Sequence, residues 1–410
     1  RYPMHASSQI VGAAAVATAI AALIFVRSRR SARAFYVHTR GTSGLIFTGT
    51  GCSSGLPLIG CCTGANDTSP QKDCMACSHA VRNGPTDKNW RNNVGALLRF
   101  KDAEGAIRHV QIDCGKTFRD ACTRIYAAYG VKTIDALVLT HDHADAIFGL
   151  DDLRSLQPVD ANFNVLSTIR CYCDRRTLTR LRHAFPYLVP TSGPPTQLRS
   201  DLCASCELDL KCVPTAVGSS SSGAPTASSS SPPTADQRAE PRPPDQGVKR
   251  FVANLDWESF GAAFEVCTLN VCGLTVVALP VLHGADYTCY GFAFGAEDER
   301  VVYLSDYTEL LPSTESLLTA WSTNGRQLEL LVLDALKNDG CHPVHASVEQ
   351  SVALARRLRP KRTLLVGMGH ALEHHETNHR LRQLWQQEAL DVALAYDGQF
   401  VPLPQLGVGM

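Results

Sequence analysis

The residues best equipped for chemistry lie in the stretch Leu139-Thr140-His141-Asp142-His143-Ala144-Asp145-Ala146. A mostly apolar run over residues 134–139 leads into it and reads as a short buried strand. Side chains alternate along extended backbone, so His141 and His143 point the same way and both can reach one cation. Asp145 adds an oxygen two residues later. Imidazole with carboxylate is a borderline-hard donor set that suits zinc, manganese or iron(II). The bland alternative is a solvated polar turn, but a buried strand seldom ends in such a cluster. Other strand-like runs far along the chain also end in donors. Residues 272–282 lead to His283, residues 301–305 to Asp306, and residues 330–333 to Asp334. His345 stands just before a helix expected over 348–358, where a neutral imidazole can act as acid or base near pH 7. A softer group comes earlier: Cys61 and the knuckle Cys74-Met-Ala-Cys77 offer three thiolates from one loop, a tetrahedral zinc site short of one ligand. Buried or free thiols are the alternative there.

His-x-His-x-Asp after an apolar strand resembles the second motif of the metallo-β-lactamase superfamily. The longer run THDHADAIFGLDDLR, and the opening Gly49-Thr50-Gly51-Cys52-Ser53-Ser54-Gly55-Leu56-Pro57 running on to Cys61, are similar to one branch of it. That branch contains the bacterial phosphoribosyl 1,2-cyclic phosphate phosphodiesterase. The resemblance implies an α+β fold, a four-layer αββα sandwich with the metal where strand ends meet. It implies that His283 and Asp306 join His141 and His143 in one metal site, with Asp145 as a further ligand that orients a water. Asp113 would brace the metal loop. Asp334 and His345, in a run resembling HPxHxS, would serve substrate and proton transfer. Where relatives commonly carry Thr-His-x-x-His, this chain reads Gly367-Met368-Gly369-His370. In the gapless register Gly367 replaces a catalytic histidine, and His370 closes a structural zinc site with Cys61, Cys74 and Cys77. A one-gap shift would make His370 a catalytic ligand instead.

Two departures follow from that register. Ala146 and Gly367 stand where the superfamily places two histidines of a second metal, with His374 or His375 as the nearest substitutes. The expectation is a mononuclear centre, or a second ion held weakly. The function expected is a metal-dependent hydrolase, a phosphodiesterase using metal-bound hydroxide on a small, cyclic phosphate ester, with zinc or manganese at the catalytic site. A tRNA 3′-processing type of nuclease, a thioester or lactone hydrolase, and a non-catalytic metal-stabilised binding protein are the competing readings.

The elements needed to position these groups are legible as patterns. Strands are expected over 94–100, 110–113, 169–173, 290–294 and 363–366, and helical periods run over 117–129, 146–156 and 175–183. The 410 residues carry 39 basic and 39 acidic side chains, so nothing pulls the chain as a whole toward nucleic acid or anionic lipid. Sixteen cysteines in local clusters suit thiolate–metal chemistry in a reducing compartment. Residues 1–40 stand apart: an apolar run over 10–26 followed by Arg27, Arg29, Arg30 and Arg33 reads as a membrane anchor facing the cytosol, or as a mitochondrial or plastid presequence. The catalytic domain, 41–410, is interrupted at about 191–250 by a segment whose Ser-rich part, 219–231, cannot bury a core and is expected to be disordered. Cys203, Cys206 and Cys212 on its near side have no histidine beside them, and composition leaves the oligomeric state open.

Overall fold

The computed structural model describes residues 42–65, 74–189, 251–261, 264–404 and 406. The expected N-terminal segment, the Ser-rich tract and Cys203, Cys206 and Cys212 lie outside the described residues. The expectation of a transmembrane segment is corrected: no helix among the described residues is long and apolar enough to cross a membrane.

Two sheets carry the fold. The first joins β1 (Gly44–Gly49), β2 (Gly95–Lys101), β3 (Ile107–Ile112), β4 (Ala136–Val138), β5 (Ile169–Asp174) and β6 (Leu255–Phe260). The second contains β7 (Cys267–Val271), β8 (Leu274–Leu282), β9 (Thr288–Phe294), β10 (Val301–Leu304), β11 (Glu309–Leu310), β12 (Leu330–Asp334), β13 (Thr363–Val366) and β14 (Val392–Leu394). A last strand, β15 (Phe400–Pro402), returns to the first sheet beside β1. The first sheet runs β15-β1-β2-β3-β4-β5-β6; the second runs β11-β8-β9-β10-β12-β13-β14, with β7 paired to β8.

The layering follows from side-chain alternation. Leu45 and Phe47 of β1 pack with Val301 and Tyr303 of β10 and with Leu330 and Val332 of β12, which places the two sheets face to face. Ile46, between Leu45 and Phe47, turns instead to Phe118, Tyr126 and Leu137 on the outer side of the first sheet. Val302, Leu304, Leu331 and Leu333 turn outward to Val352, Leu358 and Leu381 of the helices Val348–Leu358 and His374–Glu388. Strands apolar on both faces are what a helix–sheet–sheet–helix stack requires, and the result is the expected αββα sandwich.

Two expected helices are built differently. Residues 118–129 are helical throughout but contain a π-helical turn, Cys122–Tyr126. The segment after the histidine loop is a short helix, Ala144–Ile147, followed by a 3-10 segment, Leu150–Leu156. Cys114 interrupts it: its N–H donates to the Ala146 carbonyl (2.8 Å), and its own carbonyl accepts from Gly149 N–H (2.7 Å). Those bonds replace the helical ladder.

β10, β12 and β13 are mutually parallel, so their C-terminal ends lie on one edge. That edge carries Asp306, Asp334 and Gly367. In the first sheet β3 and β4 are parallel too and present Asp113 and the histidine loop. Open sheets with parallel strands place their sites at this edge.

Candidate metal centre

The loop after β4 is held from below. Asp113 accepts from the Thr140 N–H and from the Thr140 hydroxyl, both at 2.8 Å. With that hydroxyl donating to Asp113, its lone pair faces His141 Nδ1 at 2.7 Å and accepts the Nδ1 proton. The tautomer this selects leaves Nε2 of His141 bare, as a metal ligand must be. Asp113 is thus a brace.

The imidazoles of His141, His143 and His283 converge. Ring centroids are 4.6 Å apart for His141–His143, 5.3 Å for His141–His283 and 5.1 Å for His143–His283. One donor atom from each lies within 4.8 Å of the others. His283, Asp306 and His345 form a second group at the same spacing, sharing His283 with the first. Asp306 groups with His283 and His345 at that spacing, and it also lies close enough to His141 for its carboxylate to oppose the burial that lowers the imidazole. His141 Nε2, His283 Nδ1, Asp306 Oδ2 and Asp334 Oδ1 are all buried without a hydrogen-bond partner among the described residues. Buried polar atoms are normally satisfied, and four orphans at one strand edge are the signature expected of donors arranged for a cation. Burial pulls His141 down to about 3 and lowers His283, so both imidazoles are neutral ligands at pH 7.

His345 is held differently. Its Nδ1 lies 2.7 Å from Asp334 Oδ2 and 3.9 Å from Asp306 Oδ1. Burial opposes the imidazolium, but the Asp334 carboxylate, with Asp306 behind it, outweighs burial and raises His345 to about 9. Burial lifts the fully enclosed Asp334 to about 7 against the pull of His345. The shared proton is best placed on His345, where two carboxylates face it.

Cys61, Cys74, Cys77 and His370 bring four donor atoms within 4.8 Å of one another. Cys61 Sγ is 3.3 Å from His370 Nδ1, and Cys74 Sγ is 3.3 Å from the His370 carbonyl. Three thiols and one imidazole at that spacing match a tetrahedral zinc site, and no described cysteine is in a disulfide. His370 thus stands with the cysteines, as the gapless register requires.

A family model described as the beta-lactamase superfamily domain matches residues 108–235 and 237–368. The chain is a member of the metallo-β-lactamase superfamily. Membership carries the coarse reading of a metallo-β-lactamase-fold hydrolase with candidate His/Asp metal sites. A crystal structure described as a new diphosphatase from the PhnP family is 24% identical, with a TM-score of 0.56, covering 88% of this chain and 96% of that one. Zn(2+)-bound PqqB from Methylobacterium extorquens is 14% identical, with a TM-score of 0.53, covering 88% and 99%. At these identities the likeness shows the fold. A stretch of 130 residues is 35% identical to an octanoyltransferase of Porphyromonas gingivalis; it spans 30% of this chain and only 22% of that protein.

At Gly367, where the gapless register places a histidine of the superfamily, the geometry leaves no room for a side chain. Gly367 has φ +70, and a Cβ added there would sit 2.1 Å from Asp334 Oδ1. Asp334 fills the space that a side chain at 367 would need. Gly367→Ala is expected to cost about 1–3 kcal/mol through backbone strain and to displace Asp334 from His345. Thermal unfolding and turnover should fall together; an unchanged variant would show that the close approach has no role. Asp145 is buried, and its pKa is raised by burial and then by Asp306, yet it joins neither group of close donors. His374 Nε2 meets Asn378 Nδ2 at 3.0 Å, and its buried Nδ1 has no hydrogen-bond partner among the described residues, but it joins neither group of close donors.

Sequence reasoning missed two features. Arg91, fully buried, donates to the Gly369 and Leu372 carbonyls (3.0 and 2.7 Å), while Asn93 holds the Cys52 and Ser53 carbonyls (3.0 and 2.9 Å). Together they tie the loop after β1 to the loop after β13. Three polar residues in a row before a strand are the only sequence signal of this. The second is Tyr287, whose ring stacks on His143; a tyrosine between a histidine and a strand gave no signal.

Proposed function

We propose that the chain is a metal-dependent phosphodiesterase acting on a small phosphate ester. The observation that supports this is one strand edge carrying two kinds of group. His141, His143 and His283 offer converging imidazoles, and the proton-holding Asp334–His345 pair lies beside them, with His345 4.9 Å from His283 between ring centroids. A zinc or manganese ion bound there would polarise a phosphoryl oxygen and make water nucleophilic near neutral pH. The three imidazoles would hold it, with Asp306 supplying its partnerless Oδ2. Asp145 lies close enough to His143 and Asp306 to feel both charges, and its carboxylate would orient the attacking water. His345 keeps a proton at pH 7 and would deliver it to the leaving oxygen as the ester bond breaks. Asp334 fixes the ring and stabilises its charge until then. With no histidine at 146 or 367, one catalytic ion is the arrangement these residues favour.

Phosphate is favoured over other esters by the surroundings. A cavity of about 500 Å³ is lined by Arg175, Arg176, Thr179, Phe264, Asp286 and Tyr290, and Arg176 also covers the tyrosine stacked on His143. Asp174, at the same cavity, is occupied in capping a helix through the N–H groups of Arg176 and Thr177. None of the metal-donor residues lines this cavity; Arg176, over the Tyr287 ring, is the guanidinium that connects it to the centre, and a guanidinium suits a phosphoryl substituent. Zero net charge gives a long nucleic acid no support. A panel of cyclic and linear phosphodiesters, diphosphates, thioesters and lactones tests the reading. Phosphodiesters should be turned over, and His345→Asn should keep the ion and lose the turnover. Faster thioester or lactone cleavage, or a metal-loaded protein that cleaves nothing, would overturn it.

A further inference from the structure

His141 and His283 are buried within the protein, but His143 is exposed. Its neighbours restrain it in an unusual way. The Tyr287 ring stacks on the His143 imidazole, with centroids 4.7 Å apart and planes 25° apart. Tyr287 is itself fixed at three points. Its hydroxyl donates to the Asp142 carboxylate, and the same oxygen accepts from the Asp142 N–H at 3.3 Å. Its carbonyl accepts from the His283 N–H at 2.7 Å. The Arg176 guanidinium lies over its ring, 3.8 Å from the centroid, and donates to the Thr288 carbonyl. Arg180 closes the chain of contacts by reaching Asp142 at 3.5 Å.

An exposed imidazole with free rotation would lose side-chain entropy on binding a metal; one already stacked against a fixed ring has lost it beforehand. We propose that Tyr287 is a positioning residue that pre-orients His143 for metal capture, with Asp142 and Arg176 holding Tyr287 in place. The inference rests on His141, His143 and His283 being the metal site. Tyr287 also links that site to the cavity at Arg176, so a ligand that moves Arg176 would be felt at His143.

The test is zinc(II) titration against a competing chromophoric chelator, on full-length protein whose cysteine site is already filled. Tyr287→Phe keeps the stack and should bind within about threefold of wild type. Tyr287→Leu should weaken the histidine-site ion about 10- to 100-fold, the range for loss of a group that orients a ligand. Arg176→Ala, which uncovers the Tyr287 ring, should fall between them and covers the case in which Tyr287→Leu fails to fold. Wild-type affinity in Tyr287→Leu, or in Arg176→Ala where Tyr287→Leu does not fold, would overturn the positioning role. His143→Ala is the control for the site itself. If it binds as tightly as wild type, the metal reading fails; if it does not bind while Tyr287→Leu binds as tightly as wild type, only the positioning role fails.

Discussion

His283→Ala is expected to remove metal binding and hydrolysis together. His283 is the one residue common to both groups of close donors, with His141 and His143 on one side and Asp306 and His345 on the other. Loss of a group that merely orients a ligand costs about 10- to 100-fold, so loss of this ligand should exceed 100-fold in affinity and take turnover below detection. The scaffold should persist. His283 follows β8, a nine-residue strand paired with β9 over seven residues, and among the described residues its Nδ1 has no hydrogen-bond partner to lose. Metal content, turnover and thermal unfolding of the metal-free protein, measured on one preparation, check this. Retention of the ion would show that the donors do not act as a set.

Cys77→Ala should act on stability first. Cys77 is 2% exposed and packs with Leu56 and Ala76. Its thiolate would share an ion with His370, across a separation that in the Cys61–His370 contact spans 309 positions. Structural zinc contributes apparent free energies of about 10–16 kcal/mol in small zinc-finger peptides; only a fraction is expected in a domain with its own core. A loss of about 3–4 kcal/mol would lower the thermal midpoint by about 10 °C. One equivalent of zinc should be lost with it. Turnover should fall as well, because the loop carrying His370 also carries Gly367, against which Asp334 packs. An unchanged midpoint with zinc absent would show that the ion is not structural.

What the sequence reveals of this protein follows a physical rule. Each donor at the centre closes an apolar run, and apolar runs buried on both faces are visible as such: β12 is buried at every position and ends at Asp334. Alternation along β1, with Leu45 and Phe47 facing the other sheet and Ile46 facing helices, encodes the layers. The cysteine cluster was legible because its thiols are close in sequence, and His370 because one register aligned it. The rest depended on contacts that no local pattern carries. How close Asp306 comes to each of the three histidines is set by how β10 seats against β9 and β9 against β8. The hold of Arg91 on Leu372 joins positions 281 apart. The broken helix after the histidine loop comes from Cys114, on a different strand end. The stack of Tyr287 on His143 needs the two sheets brought together before it exists.

Anomalous scattering from crystals of the protein, collected across the zinc and manganese edges and refined for occupancy, tests the proposed centre most directly. One ion among His141, His143 and His283, together with zinc between Cys61, Cys74, Cys77 and His370, is the expected result. Two fully occupied ions at the histidine edge, or none with the imidazoles apart, would contradict it.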